Sequence, residues 1–92
     1  MRRGCADCAI KHLSQAMVLM DEEMLGYPLH RYLAIGHMSE AESELLGVGE
    51  DGIKLAQEVR ELRREYMAGG SVTLMTIIQQ LAALEERKDA ND

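Results

Sequence analysis

Ile10, Leu13, Met17, Met20 and Met24 recur in steps of three and four. That spacing returns a side chain to one face of an α-helix on every turn, and it does not fit the two-residue alternation of a strand. It predicts a helix over about 7–25. Gly26 can end that helix in a left-handed conformation. Pro28 suits the first turn of the next helix, where its missing N–H costs nothing. LGYP, residues 25–28, therefore reads as a tight turn between antiparallel helices.

Three more segments follow the same rule. Ala34, Met38, Ala41 and Leu45 form a stripe over about 28–46, with Gly36 placed to allow a close helix approach. GVGEDG, residues 47–52, is a loop. Leu55, Val59, Leu62 and Tyr66 share a face over about 53–67, and Gly69-Gly70 breaks the chain. Ser71 or Thr73 can cap the last segment, which runs to about 87. Its apolar positions Leu74, Met75, Ile77, Ile78, Leu81, Ala82 and Leu84 cover more than one narrow stripe, which points to a central helix or one shared with another subunit. The tail from about 88, KDAND, is expected to fray. No segment alternates with period two. The fold class expected is all-α: a single domain over 1–92, a small four-helix bundle built from two antiparallel helical hairpins.

Composition narrows the chemistry. There is no Phe, no Trp and only three Tyr, so a core must be built from Leu, Ile, Met, Val and Ala, residues that suit helices. At 92 residues such a core is modest, and a metal site, a disulfide or an oligomer interface often supplements one of this size. The net charge of −6 lacks the field of a nucleic-acid binder. No apolar run approaches the roughly 20 residues of a membrane span. Met1-Arg2-Arg3 leads into Gly and a cysteine pair rather than an apolar signal stretch, so a cytoplasmic protein is expected. In that compartment Cys-x2-Cys points to metal binding or redox chemistry more than to a structural disulfide.

The chemistry-bearing stretch is CADCAIKH, residues 5–12. On a helix Cys5, Cys8 and His12 fall within about 60° of one another. Thiolate sulfur and imidazole nitrogen suit Zn²⁺, which takes four ligands in structural sites. GHMSEAESE in the second segment offers the fourth: His37, Glu40 and Glu44 repeat the same spacing and line one face. Residue counting sets His12 level with Glu40 to Glu44, and His37 about one turn, roughly 5 Å, nearer the hairpin. His37 is taken as the fourth ligand because nitrogen joins two sulfurs more commonly than carboxylate does. Glu40 and Glu44 stand as reserves, or as groups that orient a histidine. Two other readings stay open. A thiol at a helix N-terminus is activated by the free N–H groups there, or the two cysteines simply pack.

The Cys-x2-Cys-x3-His pattern resembles the motif of the alkylhydroperoxidase D family, which is all-helical and oligomeric. The resemblance implies Cys8 as the peroxidatic thiol, Cys5 as its resolving partner and His12 as the proton-transfer residue. That family also uses a glutamate well upstream, and four residues precede Cys5 here. By size and general character the chain also resembles small phage- or prophage-encoded helical proteins that begin with such a cluster; this implies no particular active residue.

Other constellations are weaker. Glu-x-x-His pairs of a di-iron bundle are absent, and His37-x2-Glu40 runs in the reverse order. GVGEDG is too acidic to cradle phosphate. Arg60, Arg63 and Arg64 are interleaved with Glu58, Glu61 and Glu65, so intrahelical pairing is expected. His30 and Arg31, with Tyr27 and Tyr32, mark a polar pocket or a closed bundle end at the hairpin turn. The function expected is a non-enzymatic zinc-binding binding or adaptor protein, a homo-oligomer with a protein or small-ligand partner. The alternatives are a thiol oxidoreductase using the cysteine pair and a phage-type inhibitor or ligand-sequestering protein.

Overall fold

The computed structural model describes residues 4–90, with side chains to residue 86. Four helices follow one another: α1 (Ala6–Met24), α2 (His30–Leu45), α3 (Glu50–Met67) and α4 (Met75–Ala90). Among the described residues there is no strand. The four expected segments are therefore the four helices observed. α4 continues to Ala90, into the stretch expected to fray, and Asn91 and Asp92 lie outside the described residues, as does the Met1–Arg3 stretch. No described helix is long and apolar enough to cross a membrane.

The ends of the helices follow local chemistry. Cys5 caps α1 in an extended conformation, and its sulfur accepts the Cys8 amide at 3.0 Å. Gly26, at φ 114°, takes the left-handed turn after α1. Pro28 sits in a turn before α2 rather than in its first turn. That turn is closed by the His30 amide on the Tyr27 carbonyl (3.0 Å) and the Arg31 amide on the Pro28 carbonyl (3.3 Å). α3 begins at Glu50, three residues before the expected Ile53, because Glu50 and Asp51 place carboxylates on the positive end of its dipole. The GVGEDG loop shrinks accordingly, with Gly49 at φ 99° as the cap. Thr73, of the two expected caps, accepts the Met75 amide through its hydroxyl at 3.3 Å.

The core lies along α2, which is packed between α1 and α3. Its stripe of Ala34, Met38, Ala41 and Leu45 is wholly buried, as expected. Each fully buried Leu or Met contributes about 1.5–3 kcal/mol. α1 buries Ala6, Ala9, Leu13, Ala16, Leu19 and Met20, whereas Ile10 and Met17 are half-buried and Met24 is exposed. The expected stripe is thus rotated towards alanines, because α1 is covered by α4 as well as α2. Leu74, just before α4, is buried, and α4 itself buries Ile77 and Leu81, with Ile78 and Leu84 against the core, so much of this segment's broad apolar surface is used within the chain.

Close helix approach occurs at other glycines than Gly36, which faces open space. A Cβ at Gly52 would collide with the Leu45 carbonyl oxygen and lie 2.7 Å from Val48 Cβ. Arg63 does not pair within its own helix: its guanidinium donates to the Glu42 carboxylate on α2. The largest exposed apolar residues gather at the α1–α2 turn, namely Met24, Leu25, Tyr27, Leu29 and Tyr32.

Candidate functional site

The start of α1 and the end of α2 meet because the chain is drawn in by its backbone. The Gly4 amide donates to the Gly47 carbonyl at 3.2 Å. Only glycine fits at position 4, since a Cβ there would collide with the Glu44 carbonyl oxygen and lie 2.8 Å from Gly47 Cα. One residue on, the Cys5 amide donates to Glu44 Oε2 at 2.8 Å. These contacts hold Cys5 as the cap of α1 and set the Glu44 carboxylate beside it.

Cys5 and Cys8 are joined as a disulfide, with Cα atoms 5.1 Å apart. The pairing follows from the cap. An extended residue at the helix start, followed by one turn of helix, brings the two Cβ atoms to one side. Both cysteines are half-buried. The Glu44 carboxylate lies with the two sulfurs in one group whose ligand atoms are all within 4.8 Å of one another.

The histidines form a second pair on the same seam. His12 Nδ1 and His37 Nδ1 are 3.1 Å apart, with ring centroids at 5.3 Å and planes inclined by 35°. His12 Nε2 lies 3.1 Å from Glu40 Oε2. The side chains thus close the one-turn offset between His12 and His37, and His12 lies level with Glu40 as residue counting requires.

The four expected zinc ligands are accordingly brought together as two pairs rather than as one tetrahedral group. Cys5 and Cys8 take Glu44, a reserve in the sequence reading, as their neighbour. His12 and His37 take Glu40. The physical reason is the extended Cys5: it turns the cysteine sulfurs towards the end of α2, while His12, one turn along α1, meets the middle of α2. Gly4 is the site residue that sequence reasoning missed. Its signal was a glycine directly before the cysteine pair, at a place where the backbone had to approach another helix.

A separate polar cluster closes the hairpin end. Arg31 donates to the Tyr66 carbonyl oxygen, lies 3.5 Å from Glu23 Oε1, and stacks its guanidinium 4.7 Å above the Tyr66 ring. His30 Nδ1 lies 3.0 Å from Glu22 Oε2, and its ring stacks on Tyr27. Tyr32 is exposed and takes no part in closing the core. The Tyr66 hydroxyl is buried with no hydrogen-bond partner among the described residues. Burial, and secondarily the charge of Glu23, push its pKa above the ordinary 10.0, against the opposing effect of Arg31. The grooves between α3 and α4 are lined by Asp51, Glu58, Glu61 and Glu65 against the cation Lys54, an acidic balance that disfavours anionic ligands.

Comparison with protein-family models, with curated proteins and with solved structures returns no match.

Proposed function

We propose that the chain is a small thiol–disulfide oxidoreductase whose working group is the Cys5–Cys8 pair. The observation that carries this reading is the placement of a bonded Cys-x2-Cys at a helix N-terminus, with the Cys8 amide aimed at the Cys5 sulfur. A bridge closing so short a loop restrains the unfolded chain little: the chain-entropy relation gives about 2 kcal/mol, the low end for a disulfide. It is better suited to opening and closing than to stapling the fold.

Reduced Cys5 is the attacking group in this proposal. Its thiolate is stabilised by the Cys8 N–H and by the positive end of the α1 dipole. The role thus falls on the cap residue rather than on Cys8, to which the alkylhydroperoxidase D resemblance assigned it. The Cys5 thiolate displaces one sulfur of a substrate disulfide, forming a mixed disulfide and releasing a thiolate. The Cys8 thiol then gives its proton to the Glu44 carboxylate and attacks Cys5 Sγ. The intramolecular disulfide forms and the second substrate thiolate leaves. Two electrons pass from the protein to the substrate, and the released thiolates take up the protons that the two cysteines gave up.

The test is equilibration of the protein with glutathione buffers of graded potential, with the free thiols read by mass spectrometry. A reversible transition between about −180 and −270 mV, the range of catalytic dithiols, is expected. A midpoint below about −300 mV marks a structural bridge and ends the reading.

The grouping of Cys5, Cys8 and Glu44 supports a second reading, in which the reduced protein is a zinc-binding module. Sulfur and carboxylate oxygen are both zinc ligands, and a fourth would be water or a group from a partner. The bonded cysteines weigh against it, because a disulfide has no thiolate to offer. Metal content of protein purified under reducing conditions separates the two readings.

A further inference from the structure

We propose that His12 and His37 form a divalent transition-metal site of their own, independent of the cysteines. Their Nδ1 atoms face each other at 3.1 Å from two different helices. With metal–nitrogen bonds of 2.0–2.1 Å, two nitrogens at that separation subtend an angle of about 95–100° at a shared ion. That lies between octahedral and tetrahedral values, so the nitrogen spacing suits a shared ion, which the rings meet by turning their lone pairs from each other towards it.

Glu40 favours the tautomer that a metal needs. The Glu40 carboxylate only accepts, so it favours the neutral His12 tautomer that carries its proton on Nε2 and leaves the Nδ1 lone pair free for a metal. A carboxylate on the far nitrogen of a ligating imidazole is the usual orienting partner at metal sites. Without metal, His37 Nδ1 donates its proton to that lone pair. On binding, His37 moves its proton from Nδ1 to Nε2 through solvent, and the metal takes the proton's place with no net change in charge on the rings. Two imidazole nitrogens, with water completing the coordination, suit Zn²⁺, Ni²⁺, Co²⁺ or Cu²⁺ rather than Mg²⁺ or Ca²⁺. The helices α1 and α2 hold the half-buried pair in place from both sides, so little backbone ordering accompanies binding.

The test uses the full chain with the Cys5–Cys8 disulfide closed, which removes the thiols as ligands and separates this site from the fate of the redox reading. Zinc chloride is titrated in by calorimetry. One ion per chain is expected. His12→Ala and His37→Ala should each weaken binding at least tenfold, and Glu40→Gln by about tenfold, the lower bound for losing an orienting carboxylate. His30→Asn, at the hairpin end, should leave binding unchanged. If an alanine variant fails to fold, the wild type still decides: added Co²⁺ should displace the ring-proton resonances of His12 and His37 and leave those of His30 in place. No binding to the disulfide-closed wild type, binding that survives in both alanine variants, or cobalt shifts centred on His30 would overturn the proposal.

Discussion

The Cys5 amide donates to Glu44 Oε2 at 2.8 Å, bridging residues 39 apart in the chain. This bond ties the first residue of the cysteine pair to the last turn of α2 and places a negative charge beside both sulfurs. Its two effects oppose each other. The carboxylate fixes the cap residue in place, and its charge disfavours a thiolate next to it. Glu44→Ala should therefore destabilise the fold by about 1.5–3 kcal/mol, the range for a hydrogen bond to a charged group. Glu44→Gln keeps an acceptor and loses the charge. It should fold nearly as well and, once reduced, react faster with iodoacetamide near neutral pH. Denaturant titration reads the first effect and alkylation kinetics the second. Slower alkylation in Glu44→Gln would contradict the electrostatic argument.

Gly4 tests the same junction from the backbone side. Any Cβ at this position meets the Glu44 carbonyl and the Gly47 main chain, and backbone atoms cannot rotate away. Gly4→Ala should cost about 1–3 kcal/mol through overpacking, or detach the residues before α1. Detachment would show as faster hydrogen exchange at the Cys5 amide, with α2 and α3 unaffected. An unchanged exchange rate at Cys5 would mean that Gly4 does not hold the entry of the chain.

The α2 stripe of Ala34, Met38, Ala41 and Leu45 was legible because this face of α2 is packed on by both α1 and α3, and every stripe position is buried. The α1 stripe was legible in kind but misplaced. Counting large residues weights Met24, which is exposed, and overlooks Ala6, Ala9 and Ala16, whose small size lets the helices approach. The site shows the same division. The spacing of Cys5, Cys8, His12 and His37 points to the α1–α2 seam, along which these side chains lie. It did not reveal that they gather as two pairs, because that depends on the backbone angles of one residue, Cys5, and on a glycine contact across the fold. Helical spacing pairs Arg63 within its own helix, whereas its partner Glu42 lies on α2, at a separation no helical periodicity encodes.

Tyr66 is a group whose ionisation links stability to pH. Its raised pKa means that the folded chain holds the phenolic proton more tightly than the unfolded chain does. Where the two states differ, the unfolded chain binds fewer protons, so stability falls as pH rises. The contribution is constant at neutral pH and is lost upward from about pH 10, the ordinary phenol value. Tyr66→Phe removes a hydroxyl without a hydrogen-bond partner among the described residues, and leaves the main-chain bond from Arg31 and the ring beneath its guanidinium. Its stability at pH 7 should lie within about 1 kcal/mol of wild type, with any change favourable. The alkaline loss should also be shallower than in wild type. Urea midpoints at neutral and alkaline pH would check both. A variant that loses several kcal/mol at pH 7 would reveal a partner for the hydroxyl.

Two helical glycines give opposite expectations from one substitution. Gly36 lies within α2, exposed, and a Cβ added there meets nothing within 4 Å. Alanine at that position narrows the unfolded ensemble and raises helix propensity without a clash, so Gly36→Ala should stabilise by about 0.5–1 kcal/mol. Gly52 lies in the first turn of α3, buried against the end of α2. Alanine there has the same intrinsic advantage, but its Cβ meets the Leu45 carbonyl and Val48. The clash outweighs propensity because the carbonyl belongs to a helix end that can move only by shifting α3 off α2. Gly52→Ala should lose about 1–3 kcal/mol. Thermal melts of the two variants should move in opposite directions from wild type. Two shifts of the same sign would mean that the α2–α3 junction yields, and that the close approach at Gly52 is not what sets the short turn between them.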